Sequence, residues 1–265
     1  MRLEFVPLLA MQRELYRIPR GLDRFRAYLR MMQGDDRNDS RVAPLVALNP
    51  MARDYVAVLI DAFLDLGAEE LAFEAAAEAS AQLNDVNGEY KVGLVIADDL
   101  GGGWTNRYAS EYAWASKSPA ALRCGWISGV LWSSEPASER AVREAVLIPL
   151  YRSAYAHRHG PARTLRDFLD QEGSSMASAG CDAPSLDADD LDYTRQVLEP
   201  DLGESLPRTI MECLYGDEAG RTLGFTPRGL SHRAGLAVAL HHARPGRWQP
   251  SDPANGEHPT SVCAS

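Results

Sequence analysis

A chain of 265 residues, 45% hydrophobic and 24% charged, sits at the globular average and is long enough for one large domain with a sizeable core. Its formal net charge of −10 disfavours non-specific attraction to phosphates or anionic lipid, so neither nucleic acid nor a membrane surface is an expected partner. No apolar stretch approaches the roughly 20 residues needed to span a bilayer, and the amino-terminal apolar run is too short for a secretory signal.

The cytoplasm is therefore the expected compartment. Basic residues are nearly all arginine, and Lys91 and Lys117 are the only lysines, so Schiff-base chemistry has two candidate amines. That bias, with abundant alanine, associates with a GC-rich bacterial genome. Cys124, Cys181, Cys213 and Cys263 are scattered without a Cys-x-x-Cys pair, which suggests neither a zinc cage nor a disulfide framework.

The first third reads as helix. Residues 6–16 and 22–32 carry apolar side chains at i, i+3, i+4 and i+7, separated by Pro19-Arg20-Gly21, and 33–40 is a polar loop. Asn49 is expected to cap the next helix with Pro50 in its first position, where a missing N–H costs nothing. That helix runs over 51–66 and stops at Gly67, a second spans 69–83, and 85–88 is a turn.

The pattern then changes. Residues 90–97 form a β-branched apolar run of strand length, expected to be covered on both faces. Helical spacing returns over 104–116, where Trp104, Tyr108 and Tyr112 align and Arg107 pairs with Glu111 at i, i+4. Residues 125–133 are the second strand, with Trp126, Ser128, Val130 and Trp132 on one face and Ile127 and Leu131 on the other. The intervening connection of about 27 residues suits a parallel crossover, with an antiparallel arrangement still open.

A long helix starts at Ser134 or Ser138, contains Pro149, which should kink it, and ends at Gly160-Pro161. Residues 164–171 are helical, and 173–189, rich in Gly, Ser and Ala at its start, reads as a linker or long loop. Helices follow over 190–198, 206–215 and 231–242, and the tail 245–265 is expected to be loose. The expected organisation is a main helical domain over 1–172 with strands at 90–97 and 125–133, then a C-terminal helical segment over 190–244. The fold class is mainly α with a small central β element, α+β or minimal α/β, in a multi-helix globular domain.

One segment concentrates unusual residues. Asp98-Asp99-Leu100-Gly101-Gly102-Gly103-Trp104-Thr105-Asn106-Arg107-Tyr108 lies where the first strand surfaces. A strand followed by glycines and a helix is a usual setting for anion capture, yet neither Gly-x-Gly-x-x-Gly nor Gly-Lys-Ser/Thr is present. Asp98 or Asp99 is a candidate base or ligand of a divalent metal, and Arg107 and Glu111 complete a candidate catalytic set. Gly101, Gly102 and Gly103 would let the backbone approach a ligand, Asn106 would orient it, and Trp104 and Tyr108 would wall it.

The bland reading of the same segment is a turn in which Asp98 caps backbone N–H groups and Arg107 forms a structural ion pair. Elsewhere, His157, His159, His241 and His242 lie at helix ends, where protonated imidazoles favour the macrodipole. Gly125-Trp126-Ile127-Ser128-Gly129 misplaces its serine for a nucleophile elbow, Cys124 is a weak nucleophile candidate, and the acidic stretch 182–204 lacks the EF-hand pattern.

The expected function is small-molecule binding at the 98–111 corner, with a polar or anionic ligand and acid–base or hydrolytic chemistry, metal-assisted if a divalent ion is held there. The alternative is a non-enzymatic helical interaction or regulatory module in which 98–111 is a structural turn. A homo-oligomer is compatible with either.

Overall fold

The computed structural model describes residues 1–33, 43–101, 105–116 and 125–244. It is 61% helical and holds eleven α-helices and one small parallel sheet among the described residues. The sequence expectations for 34–40, Gly102, Gly103, Trp104, Lys117, Cys124 and the tail 245–265 lie outside the described residues.

In chain order the elements are β1 (Arg2–Val6), α1 (Leu8–Arg17), α2 (Leu22–Gln33), a 3-10 turn (Ala43–Ala47), α3 (Asp54–Asp65), α4 (Ala68–Gln82) and β2 (Glu89–Ala97). Then come α5 (Arg107–Ser116), β3 (Trp126–Trp132), α6 (Glu139–His159), α7 (Leu165–Ser178), α8 (Ala188–Leu198), α9 (Pro207–Tyr215), α10 (Asp217–Thr222) and α11 (Ala234–Ala243). Among the described residues no helix is long and apolar enough to cross a membrane.

The sheet has order β1-β2-β3, all parallel, with Val6 opposite Gly93 and Ala97 opposite Trp132. β2 is thus central and covered on both faces, as its apolar run implies. Val92, Leu94 and Ile96 join Ile127 and Leu131 against α3, α4 and α6. Val95, Ala97, Trp126 and Trp132 face the other way, toward Leu8 and Leu15 of α1 and Leu45 and Leu48 at the 3-10 turn. The buried alanines of α4 (Ala72, Ala75, Ala76, Ala79) allow close approach, and Arg143–Glu78 and Arg158–Asp85 ion pairs tie α6 to α4 and the turn after it.

A third apolar cluster joins α5, α7, α9 and α11 through Ala115, Phe168, Ile210, Leu214, Ala234 and Leu240. α7 starts with a full capping box between Thr164 and Asp167, and Ser138 caps α6 through the Ala141 N–H.

Three expectations need correction. β1 lies where only helix was expected; its Leu3 and Phe5 alternate with the exposed Arg2 and Glu4, and Pro7 separates it from α1. Residues 173–178 are not linker but the last turns of α7. Gly173 is there because α11 crosses it so closely that an added Cβ would collide with the Ala239 carbonyl, and the buried Ser175 hydroxyl donates to the Gln171 carbonyl at 2.6 Å. Asn49 does not cap a helix. α3 begins only at Asp54, and the Asn49 side chain is committed elsewhere.

One buried contact finishes the sheet. β1 ends at Val6, yet the Ile96 N–H donates to Gln12 Oε1 and Gln12 Nε2 donates to the Ile96 carbonyl, both at 2.9 Å. Gln12 is fully buried on α1 and stands in for the next strand residue. Gln12→Leu, which keeps bulk but leaves both Ile96 groups unpaired, should cost about 2–4 kcal/mol, read as a lower denaturant midpoint at unchanged slope.

Candidate functional site

The carboxyl ends of β2 and β3 lie side by side, the position where ligands meet open parallel sheets. Asp98 is the first residue beyond β2 and is only 2% exposed. Its Oδ1 accepts from the Tyr55 hydroxyl, from the Gly101 N–H at 3.0 Å and from the Ser133 hydroxyl at 3.1 Å; Oδ2 accepts from Asn49 Nδ2 at 3.1 Å. Asn49 in turn takes the Met51 N–H at 2.9 Å, and its carbonyl takes the Tyr16 hydroxyl at 2.6 Å. Gly101 is required here, because a Cβ would clash with the Asp98 carboxylate and lie 3.1 Å from the Tyr55 oxygen.

Asp99 turns to the other strand end. Its Oδ1 accepts from the Ser134 N–H at 2.9 Å and lies 3.0 Å from the Ser133 hydroxyl, while Oδ2 takes the Ser134 hydroxyl at 2.6 Å. Ser133 has one proton for two carboxylates, and its oxygen also accepts the Asp99 and Leu100 N–H groups at 3.1 and 3.3 Å. All four carboxylate oxygens of the pair therefore face donors of the protein itself.

Arg107 spends its guanidinium in the same way. Nε donates to Glu111 at 2.9 Å, one terminal nitrogen reaches Glu135 and the other Ser134 at 3.3 Å, with Asp99 3.8 Å away. The guanidinium lies over the Trp132 ring at 5.1 Å, a cation–π contact. Glu111 is shared with Arg233 at 2.6 Å. Burial alone would push the Glu111 carboxyl up, but Arg233 and Arg107 together hold it below the usual carboxylate range. Arg233 itself is left-handed, with φ 55°, and its N–H donates to the Tyr215 carbonyl at 2.9 Å.

The remaining expected site residues diverge. Asn106 caps α5 by accepting the Ala109 N–H at 2.9 Å. Tyr108 points into the C-terminal cluster, 5.5 Å from the Tyr215 ring and 6.3 Å from His232. Burial, with Glu218 nearby, pushes its phenol up to about 12. The structure thus brings Asp98, Asp99, Gly101, Arg107 and Glu111 into one hydrogen-bonded chain and places Tyr108 outside it. Among the described residues no group of three or more His, Cys, Asp or Glu side chains is placed to hold a metal ion.

Beside this chain runs a groove of about 300 Å³ between the 3-10 turn and α5. Pro44, Val46 and Ala47 form one wall, and Ala109, Ser110, Ala113 and Trp114 the other; Thr105 and Asn106 close one end and Ser128 of β3 is the floor. Residues 106, 109, 110 and 113 share one helical face, and their small side chains leave the space open. Trp114 packs on Trp132 with ring centroids 5.7 Å apart. Sequence reasoning singled out Asn106 here and missed the rest. The usable signal was the small-residue stripe on α5 and a serine between two tryptophans on β3.

Compared with family models, curated proteins and solved structures, the chain matches none.

Two outcomes are expected at the corner. Asp98→Ala strands the donors of Asn49 and Tyr55 and should cost about 2–4 kcal/mol in chemical denaturation. Burial, then the hydrogen bond to Asp98, raises the Tyr55 phenol from 10.0 to about 12. Because the fold favours the neutral phenol, this contribution is complete below pH 10 and is lost as pH rises through about 12. Phenolate absorbance should show Tyr55 titrating late in the parent and earlier in Asp98→Ala.

Proposed function

We propose that the protein binds a small molecule in the groove between the 3-10 turn and α5, and that the 98–111 corner is the frame that holds α5 against the sheet. This departs from the sequence expectation that Asp98 or Asp99 acts as base or metal ligand. The observation that carries the reading is a contrast in hydrogen-bonding supply. At the corner, Asp98, Asp99, Arg107, Glu111 and Arg233 spend their charges on one another and on neighbouring donors and acceptors. In the groove, the hydroxyls of Thr105, Ser110 and Ser128 have no partner among the described residues, and the Trp114 indole also lines it.

Donors facing an apolar-walled depression of this size are what a small-ligand site presents. General acid–base work needs a titratable group within reach of substrate, and the described groove walls offer none. Binding without chemistry is the function this favours. A cytoplasmic setting belongs to the same proposal, supported by Cys181 and Cys213, which are both buried and unpaired.

Filling the groove tests it. A thermal-shift screen of small metabolites should raise the Tm of the parent chain. Ser128→Leu on β3 and Ala113→Leu on α5 should each abolish that response while keeping the parent's circular dichroism. Arg107→Ala should lower the starting Tm and retain the ligand response; if Arg107→Ala loses it and both groove variants keep it, the site belongs at the corner instead.

A further inference from the structure

We infer that the groove takes an uncharged ring compound with hydrogen-bonding groups on its edge, an inference that rests on the groove being the ligand site. The described lining holds no Asp, Glu, Lys, Arg or His. An ion entering it would shed part of its hydration and meet no opposite charge among the described lining residues, which is costly for any charged group. Among the described residues, the charges that flank the α5 lining are already committed: Arg107 to Glu111 and Glu135, and Glu111 to Arg107 and Arg233.

The shape points the same way. The two long walls are apolar or small, with Pro44, Val46 and Ala47 opposite Ala109 and Ala113. A flat ring meets both with its faces. Its edge can then meet the hydroxyl-bearing residues of the lining, Ser128 of β3, Ser110 of α5 and Thr105 before it. Hydroxyls donate and accept with equal ease, so they suit alcohol, amide or ring-nitrogen groups and supply no full charge to balance a carboxylate or an amine. A volume of about 300 Å³ is at the small end for ligand sites, which fits one substituted ring rather than a dinucleotide.

Trp114 adds a ring-stacking wall. Its tilted contact with the Trp132 ring helps to orient the indole. An aromatic amide and a saturated cyclic polyol both carry the required chemistry, a neutral ring with a polar edge.

Two matched pairs distinguish them and test charge directly: nicotinamide against nicotinate, and glucose against glucuronate. Saturation-transfer NMR on the full chain, at millimolar probe, should show the neutral member of one pair binding at least about tenfold tighter than its anion, with the signal lost in Ser128→Leu. The responding pair identifies the ring as aromatic or saturated. An anion that binds as well as its neutral partner, yet is lost in Ser128→Leu, overturns the neutral-ring inference and leaves the groove standing. Binding that persists in both Ser128→Leu and Ala113→Leu removes the groove itself. Silence from all four probes overturns the ring class, while the metabolite screen continues to judge the groove.

Discussion

A carboxylate buried at the end of a strand must gather hydrogen bonds or give up its charge, and Asp98 meets that demand by drawing four parts of the chain to one point. Asn49 arrives from the segment after the 3-10 turn, Tyr55 from α3, Gly101 from the following loop and Ser133 from the end of β3. The 3-10 turn is thereby set against the face of the sheet. So is one wall of the groove, since Pro44, Val46 and Ala47 lie shortly before Asn49 in the chain.

Charge ties the helices together as well as packing, both within an apolar cluster and between two of them. Glu111 is gripped by Arg107 from its own helix and by Arg233 from the segment before α11. Arg152 of α6 makes a two-pronged pair with Glu172 of α7 at 2.8 and 2.6 Å, in a largely buried setting. Such pairs add little over well-packed apolar side chains, but removing one partner strands the other. Their stronger effect is on orientation: the contacts of α5 outside itself, Glu111 with Arg233 and Arg107 with Glu135, fix its rotation, and in that rotation Ala109, Ser110 and Ala113 line the groove. The buried polar side chains are almost fully paired, with Gln171 Oε1 the buried side-chain atom lacking a partner among the described residues.

Much of the fold was legible because it is encoded locally. The Val92–Ala97 run announced a strand covered on both sides, the alternation in β3 separated its two faces, and Ser138 and Gly160 marked the ends of α6. β1 escaped because five alternating residues abut a helix whose periodicity absorbs Val6. The last turns of α7 escaped because glycine and serine at a tight helix crossing look like a linker. The corner was visible as a place and not as a role. The partners of Asp98 lie 49, 43 and 35 residues away in the chain, so its saturation could not be read from neighbours. The groove was hidden for the same reason: its walls come from three separated segments, each ordinary alone.

The Gln12 amide on Ile96 has a consequence for what the sheet can become. A backbone strand placed there would present its own free outer edge, ready to receive another strand. A side-chain amide offers the same donor and acceptor on a short tether and then stops, with α1 behind it. Beyond Val6 the sheet therefore ends in a group that cannot template its own extension, and helix α1 takes the place where a fourth strand, from this chain or a neighbour, would otherwise begin.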